Sequence, residues 1–88
     1  RTPQEFREGH LAGAVNIPYD DLAKKKSRLR RQDQLFLYCD RGNVSLMAYR
    51  DLKRDGFQVT NLWGGVYALE KAFGSMDQKF VDMVWKKN

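Results

Sequence analysis

"LFLYCDRGNVSLMAYRDL", residues 35–52, decides how this chain is read. It holds the only cysteine, Cys39, directly behind four bulky apolar or aromatic residues. A short apolar run bounded by polar residues has the pattern of a strand buried on both faces. Behind Cys39 comes a short polar loop containing Gly42. Apolar residues Leu46, Ala48, Tyr49 and Leu52 then recur at helical spacing. The pattern predicts an amphipathic helix over residues 44–55 with Gly56 as its left-handed cap.

A thiol at the end of a strand and just ahead of a helix has chemical consequences. The first amides of a helix lack intrahelical acceptors, and the helix dipole adds partial positive charge there. Gly42 lets the backbone turn with positive φ and come close to a ligand. Such a loop cradles an anion. It also favours the thiolate, since a free thiol titrates near ~8.5 and helix N-termini or cations lower it to about 3.5–7.5. Arg41 is close enough in sequence to add charge. The competing reading is a cysteine that serves as a small buried hydrophobe. Strand, glycine loop and helix together favour the nucleophile.

The flanks extend the alternation. Thr2 and Pro3 predict an N-cap and first helical position for a helix over residues 4–7, ended by Gly9. Residues 14–17 read as a brief extended segment stopped by Pro18. Asp20 and Asp21 predict the cap of a helix over residues 22–28. Residues 57–62 read as a strand, Gly64 and Gly65 as a turn, and residues 66–73 as a helix. Ser75 and Gln78 form the pattern of a capping box for a last helix through Val84, with Met76, Phe80, Val81 and Val84 facing the core. Strands alternating with helices predict an α/β fold, a small parallel sheet with helices on both faces. Ligands of such sheets sit beyond the carboxyl ends of the strands, where Cys39 falls.

The 88 residues fit one small domain, and 31 % charged with 42 % apolar residues is an ordinary soluble composition. No apolar run approaches the ~20 residues of a membrane span, and no signal-peptide pattern opens the chain. One cysteine makes no internal disulfide, and one cysteine with one histidine falls short of a zinc site. A reducing compartment, the cytoplasm, is the expected location. Much of the +5 net charge lies in "KKKSRLRR", residues 24–31. That run reads as a solvated segment ahead of an acidic-partner patch. It lacks the interleaved aromatics of a nucleic-acid surface.

Three segments, in order, resemble the rhodanese-like sulfurtransferase domains. "RTPQEFREGHLAGAVNIP" (residues 1–18) is similar to the signature of an arginine, a helix with E-F, then G-H-(I/L)-x-G-A-x-N-I-P. "LFLYCDRGNVS" (residues 35–45) resembles the active-site strand and loop, C-x-x-G-x-(R or other)-S. "GFQVTNLWGGVYAL" (residues 56–69) is similar to the closing G-F-x-V-x-x-L-x-G-G-(I/V)-x-A. The resemblance implies a cysteine that carries sulfane sulfur as a persulfide from a donor such as thiosulfate to cyanide or a thiol, with no cofactor and no metal. On that reading Cys39 is the nucleophile. Asp40, Arg41, Gly42, Asn43 and Val44 form the loop whose amides hold the persulfide or the donor's oxygens, and the Ser45 hydroxyl faces the loop. The implied partners are a small anionic sulfur donor and a sulfur-donor or acceptor protein, with no nucleic acid and no membrane.

Two departures stand out. The family often has arginine where Val44 stands, and its absence weakens the expected grip on thiosulfate, with Arg41 as partial compensation. The strand that the family places before Arg1 is absent, so residues 1–88 read as one rhodanese-like domain trimmed at its N-terminus. The resemblance makes His10 structural, capping a turn, rather than half of a protease dyad. Trp63, Gly64 and Gly65 read as packing and turn residues beside the site mouth. A phosphatase would need arginine after five residues, where Ser45 stands, and its loop would be one residue longer. The remaining alternative is a binding or sensing module in which Cys39 is idle or redox-sensing.

Overall fold

The computed structural model describes residues 1–87. Helix α1 (Pro3–Glu8) starts in a reciprocal capping box: Thr2 Oγ1 accepts the Glu5 amide, and the Glu5 carboxylate accepts the Thr2 amide. Gly9 closes α1, and a two-residue strand, β1 (His10–Leu11), follows. His10 is buried, its ring stacked 3.8 Å from that of Phe6 and its Nδ1 2.8 Å from the Phe6 carbonyl oxygen. Its role is structural.

Residues 14–17 join no ladder among the described residues. Pro18, not an aspartate, is the N-cap residue of α2 (Tyr19–Lys25). Asp20 and Asp21 lie in the first turn and Lys24 and Lys25 in the last, which suits the helix dipole. A 3₁₀ turn (Lys26–Arg28) then leads to β2 (Gln34–Leu37). The basic segment is partly tied down within the fold. Lys26 pairs with Asp55, Arg30 with Asp33, and Arg31 lies over the Phe57 ring.

Strand β2 runs parallel to β3 (Gln58–Asn61), with α3 (Asn43–Arg54) as the crossover between them. The chain is thus α/β, built on a small parallel sheet. Leu52 of α3 is fully buried against Leu22, Phe57 and Val59, with Leu35, Leu37, Ala48 and Tyr49 around them. The left-handed Gly56 (φ +90) ends α3, and the Phe57 amide bonds back to the Leu52 carbonyl oxygen at 3.0 Å.

The sequence pattern placed β2 between two covered faces, and the structure differs. Leu35 and Leu37 face the core, whereas Phe36 on the other side is 75 % exposed. A four-residue apolar run cannot say whether its second face finds a covering layer.

Past β3, Gly64 and Gly65 turn with positive φ into α4 (Gly65–Phe73). Helix α5 (Gln78–Val84) is capped by Asp77, which accepts the Lys79 amide, rather than by Ser75. Ser75 instead donates to the Ala72 carbonyl oxygen, closing the end of α4. Strand β4 (Trp85–Lys86) returns antiparallel to β1, with Trp85 opposite Leu11. Met76 and Phe80 are nearly half exposed, while Val81 and Val84 are half-buried, so the expected core stripe of α5 is covered only in part.

Candidate active site

The carboxyl end of β2, the first turn of α3 and the start of α4 meet at Cys39. The thiol is 7 % exposed, yet its immediate partners are polar. The Gly42 amide lies 3.1 Å from Sγ and the Ser45 amide 3.3 Å. Gly42, at φ +95, is the N-cap of α3, and this left-handed turn swings the two amides onto one atom. A Cβ at Gly42 would also crowd the Gly64 nitrogen at 3.1 Å.

Ser45 adds a hydroxyl with two uses. Its Oγ lies 3.4 Å from Sγ and 3.3 Å from the Gly42 carbonyl oxygen. With a neutral thiol, S–H donates to Oγ and the hydroxyl donates to Gly42. With a thiolate, the same hydroxyl turns and donates to sulfur. Burial opposes ionisation of Cys39. It is outweighed by the Ser45 hydroxyl and by the amides of Ser45, Gly42 and Arg41, which hold the thiol below its ordinary value.

The loop is fixed from behind by α4. The Val66 amide donates to the Cys39 carbonyl oxygen at 2.8 Å, and the Tyr67 amide to that of Asp40 at 2.9 Å. Such close approach requires glycine at the start of α4, because a Cβ at Gly65 would stand 2.1 Å from the Cys39 carbonyl oxygen. The sequence pattern marked Gly64 and Gly65 as turn residues beside the site mouth, without the contact to Cys39. The G-G ahead of a helical run, at a site already suspected of holding an anion, was the available sign of this contact.

The remaining expected site residues divide. Cys39, Asp40, Arg41, Asn43 and Val44 line a cavity of about 590 Å³ that opens to solvent. Asn43 and Val44 are the first two residues of α3, where amides have no intrahelical acceptor. Their side chains are exposed. The Arg41 guanidinium lies 4.5 Å over the Tyr67 ring, a cation–π contact that occupies it at the edge of this cavity. The Asp40 carboxylate is paired with Arg1, whose Nε lies 2.9 Å away. Arg1, 39 positions earlier, was not among the expected site residues, and no local signal connects the two.

This arrangement favours the thiolate form of Cys39 under inward-facing amides, beside a cavity that opens to solvent. Comparison with known proteins identifies the family. A family model described as rhodanese-like domain matches residues 1–72. The chain is 34 % identical over 84 residues to thiosulfate sulfurtransferase 16, chloroplastic, of Arabidopsis thaliana, covering 81 % of this chain and 70 % of that protein. It is 38 % identical over 66 residues to the uncharacterized protein YqhL of Bacillus subtilis (strain 168), 74 % of this chain and 52 % of that one. The chain thus spans about half the length of that relative. Among solved structures, a rhodanese-related protein from Thermoplasma volcanium superposes with a TM-score of 0.79 at 29 % identity, covering 82 % of this chain and 72 % of the other. Sequence, fold and the cysteine loop converge, and the chain belongs to the rhodanese-like domain family.

Proposed function

We propose that this protein is a sulfurtransferase that carries sulfane sulfur as a persulfide on Cys39. The Cys39 thiolate attacks the outer sulfur of a donor, the donor's S–S bond breaks, and its remaining part leaves with the electron pair. With thiosulfate the leaving group is sulfite. A thiophilic acceptor, cyanide or a thiolate, then attacks the outer sulfur of the persulfide and releases Cys39 as thiolate. No net oxidant is needed, because sulfane sulfur passes between nucleophiles. Gly42 and Ser45 stabilise the charge on Sγ, and the amides of Asn43 and Val44, which have no intrahelical acceptor in the first turn of α3, are free to serve the outer sulfur.

The observation that carries this reading is the convergence of the Gly42 and Ser45 amides on Sγ at 3.1 and 3.3 Å. Incubation with a sulfane donor followed by mass spectrometry should add one sulfur to the protein, and cyanide should remove it. Cys39→Ser should abolish the gain with the fold intact. Absence of the gain in the wild-type protein would falsify the proposal.

Thiosulfate is the finer part of the reading, and Val44 is where it is tested. No cation faces the bowl from α3, so Val44→Arg should lower the apparent KM for thiosulfate about tenfold, the order of effect of one added opposite charge. An unchanged KM would place the donor's contacts elsewhere. A donor or acceptor protein is a natural partner for a site with exposed Val44 and Met47 at its lip. A persulfide carried on one unpaired thiol suits a reducing compartment such as the cytoplasm.

A second reading, a binding or redox-sensing module of the same fold, is favoured by the stacking of Arg41 on Tyr67. It prevails if partner binding survives Cys39→Ser unchanged. Residues 1–88 are proposed to form one domain whose sheet takes a further strand. The support is an apolar groove of about 310 Å³ between β2 and residues 14–17.

A further inference from the structure

Arg1 reaches the cysteine loop from the far side of the sequence. Its Nε donates to Asp40 Oδ1 at 2.9 Å, and its guanidinium also donates to the Gly9 carbonyl oxygen. Its own carbonyl oxygen accepts from Asn16 Nδ2 at 2.9 Å. The Arg1 side chain is 10 % exposed and that of Asp40 49 %. The cation is thus the anchored member, and the carboxylate comes to it. Glu5 lines the same mouth cavity, its carboxylate taken by the Thr2 amide.

The residue after the nucleophile therefore carries a charge of the wrong sign for a thiolate. Left alone, the Asp40 carboxylate would disfavour an anion one residue away. The fold deals with both parts of Asp40. The Tyr67 amide holds its carbonyl oxygen, and Arg1 holds and neutralises its carboxylate.

We infer that Arg1 is a positioning residue for sulfur transfer, setting the charge and orientation of the Cys39 loop through its ion pair with Asp40. The inference rests on Cys39 as the nucleophile. Arg1 touches Asp40 rather than the sulfur, so it acts through the loop. The other titratable groups around the mouth cavity are Glu5 on α1, Tyr19 and Asp20 on α2, and Arg41 on the loop. Helix α3 contributes only uncharged residues there, Asn43, Val44 and Met47. From α4 comes Tyr67, flanked by Arg41 and Lys71. Among these, Arg1 is the cation paired with a carboxylate of the loop.

The test is the pH dependence of Cys39 alkylation by iodoacetamide, a neutral reagent that reads thiolate content without needing sulfur transfer. Arg1→Gln should raise the midpoint by about one unit, the lower end of the effect of a nearby charge, which is about tenfold less thiolate at a fixed pH below it. Arg1→Lys should raise it less. Adding Asp40→Asn to Arg1→Gln should return the midpoint toward the wild-type value, which a merely structural role for Arg1 would not do. An unchanged midpoint in Arg1→Gln, or no return in the double variant, overturns the inference. Should Arg1→Gln fail to fold, Asp40→Asn alone decides: the midpoint should fall, because the cation is left without its counter-charge, and a midpoint that stays or rises overturns the inference. A wild-type protein that takes up no sulfur would sink the proposed function and leave these midpoints as they are.

Discussion

The two borders of β2 are built differently. At its carboxyl end nearly every polar group has a partner. The carbonyl oxygens of Cys39 and Asp40 accept amides from α4, Sγ receives two amides, and the Asp40 carboxylate has Arg1. Along its outer edge β2 meets no strand among the described residues. It faces a groove in which Phe36 is 75 % and Val15 78 % exposed. One border is closed by its own partners, and the other is an apolar edge that no strand of the described residues covers. The bowl is made by the loop into α3 and is held from behind by α4. The bowl and the groove are not separate, since Arg1, Cys39, Val44 and Ser45 line the groove as well.

The strongest way to break the closed border is Gly65→Ala. The new Cβ would collide with the Cys39 carbonyl oxygen, and φ of +54 disfavours any side chain there. The loop must shift by a large fraction of an ångström or more. Displacement of that size costs about 10²-fold in a positioned reaction. Sulfur loading of Cys39 should fall by that order, measured as the rate of mass gain at a fixed donor concentration. Wild-type loading in Gly65→Ala would mean that α4 does not hold the loop.

Leu52→Ala attacks the core beneath both borders. Leu52 is fully buried, so the truncation should cost about 2–5 kcal/mol. In a domain of 88 residues this is a large part of the whole. Urea unfolding should show it as a lower midpoint at unchanged slope. A cost below ~1 kcal/mol would mean that the core relaxes around the loss.

A smaller and more local effect is expected at Ser45. Removing its hydroxyl deletes a hydrogen bond that favours the Cys39 thiolate against burial. In Ser45→Ala the alkylation midpoint should rise toward that of an ordinary thiol, by less than the change at Arg1→Gln if the three amides hold. The sign carries into stability. Because the folded thiol ionises more readily than the unfolded one, its contribution is complete above the unfolded pKa. It disappears as pH falls through the folded value. The advantage of the wild type over Ser45→Ala should thus grow as pH rises toward the ordinary thiol value. Equal pH profiles would remove the hydroxyl from the account.

Much of the site could be read in residues 35–52, because strand, glycine loop and helix are each encoded locally. Gly42 and the Gly56 cap follow from backbone preferences and spacing, whereas the role of Ser45 comes from the family resemblance. What the pattern missed depends on distance or direction. Nothing near Arg41 in sequence says that its side chain lies over the face of Tyr67. Nothing near Asp40 announces a partner at Arg1. The contact of Gly65 with Cys39 joins two turns 26 positions apart. At α5, Ser75 and Asp77 both offer oxygen caps, and the structure uses the nearer one, leaving Ser75 to close α4. The face of β2 was misjudged because an apolar run reports what could be buried, not which layers exist to bury it.

Phe36 turns that last point into the smallest expected effect. Its side chain stands off the core, across the sheet from Leu35 and Leu37, and exchanging it for threonine keeps a good strand former. Phe36→Thr should therefore change stability by no more than about 0.5 kcal/mol, as at surface positions away from caps and cores. A loss nearer the cost of Leu52→Ala would show that the groove is covered in solution. Dilution would then separate the covers: a second copy of the chain makes the midpoint depend on protein concentration, whereas a cover from within one chain does not. A silent Phe36→Thr at every concentration leaves β2 with one working face, and assigns the stability of these residues to the side that also builds the bowl.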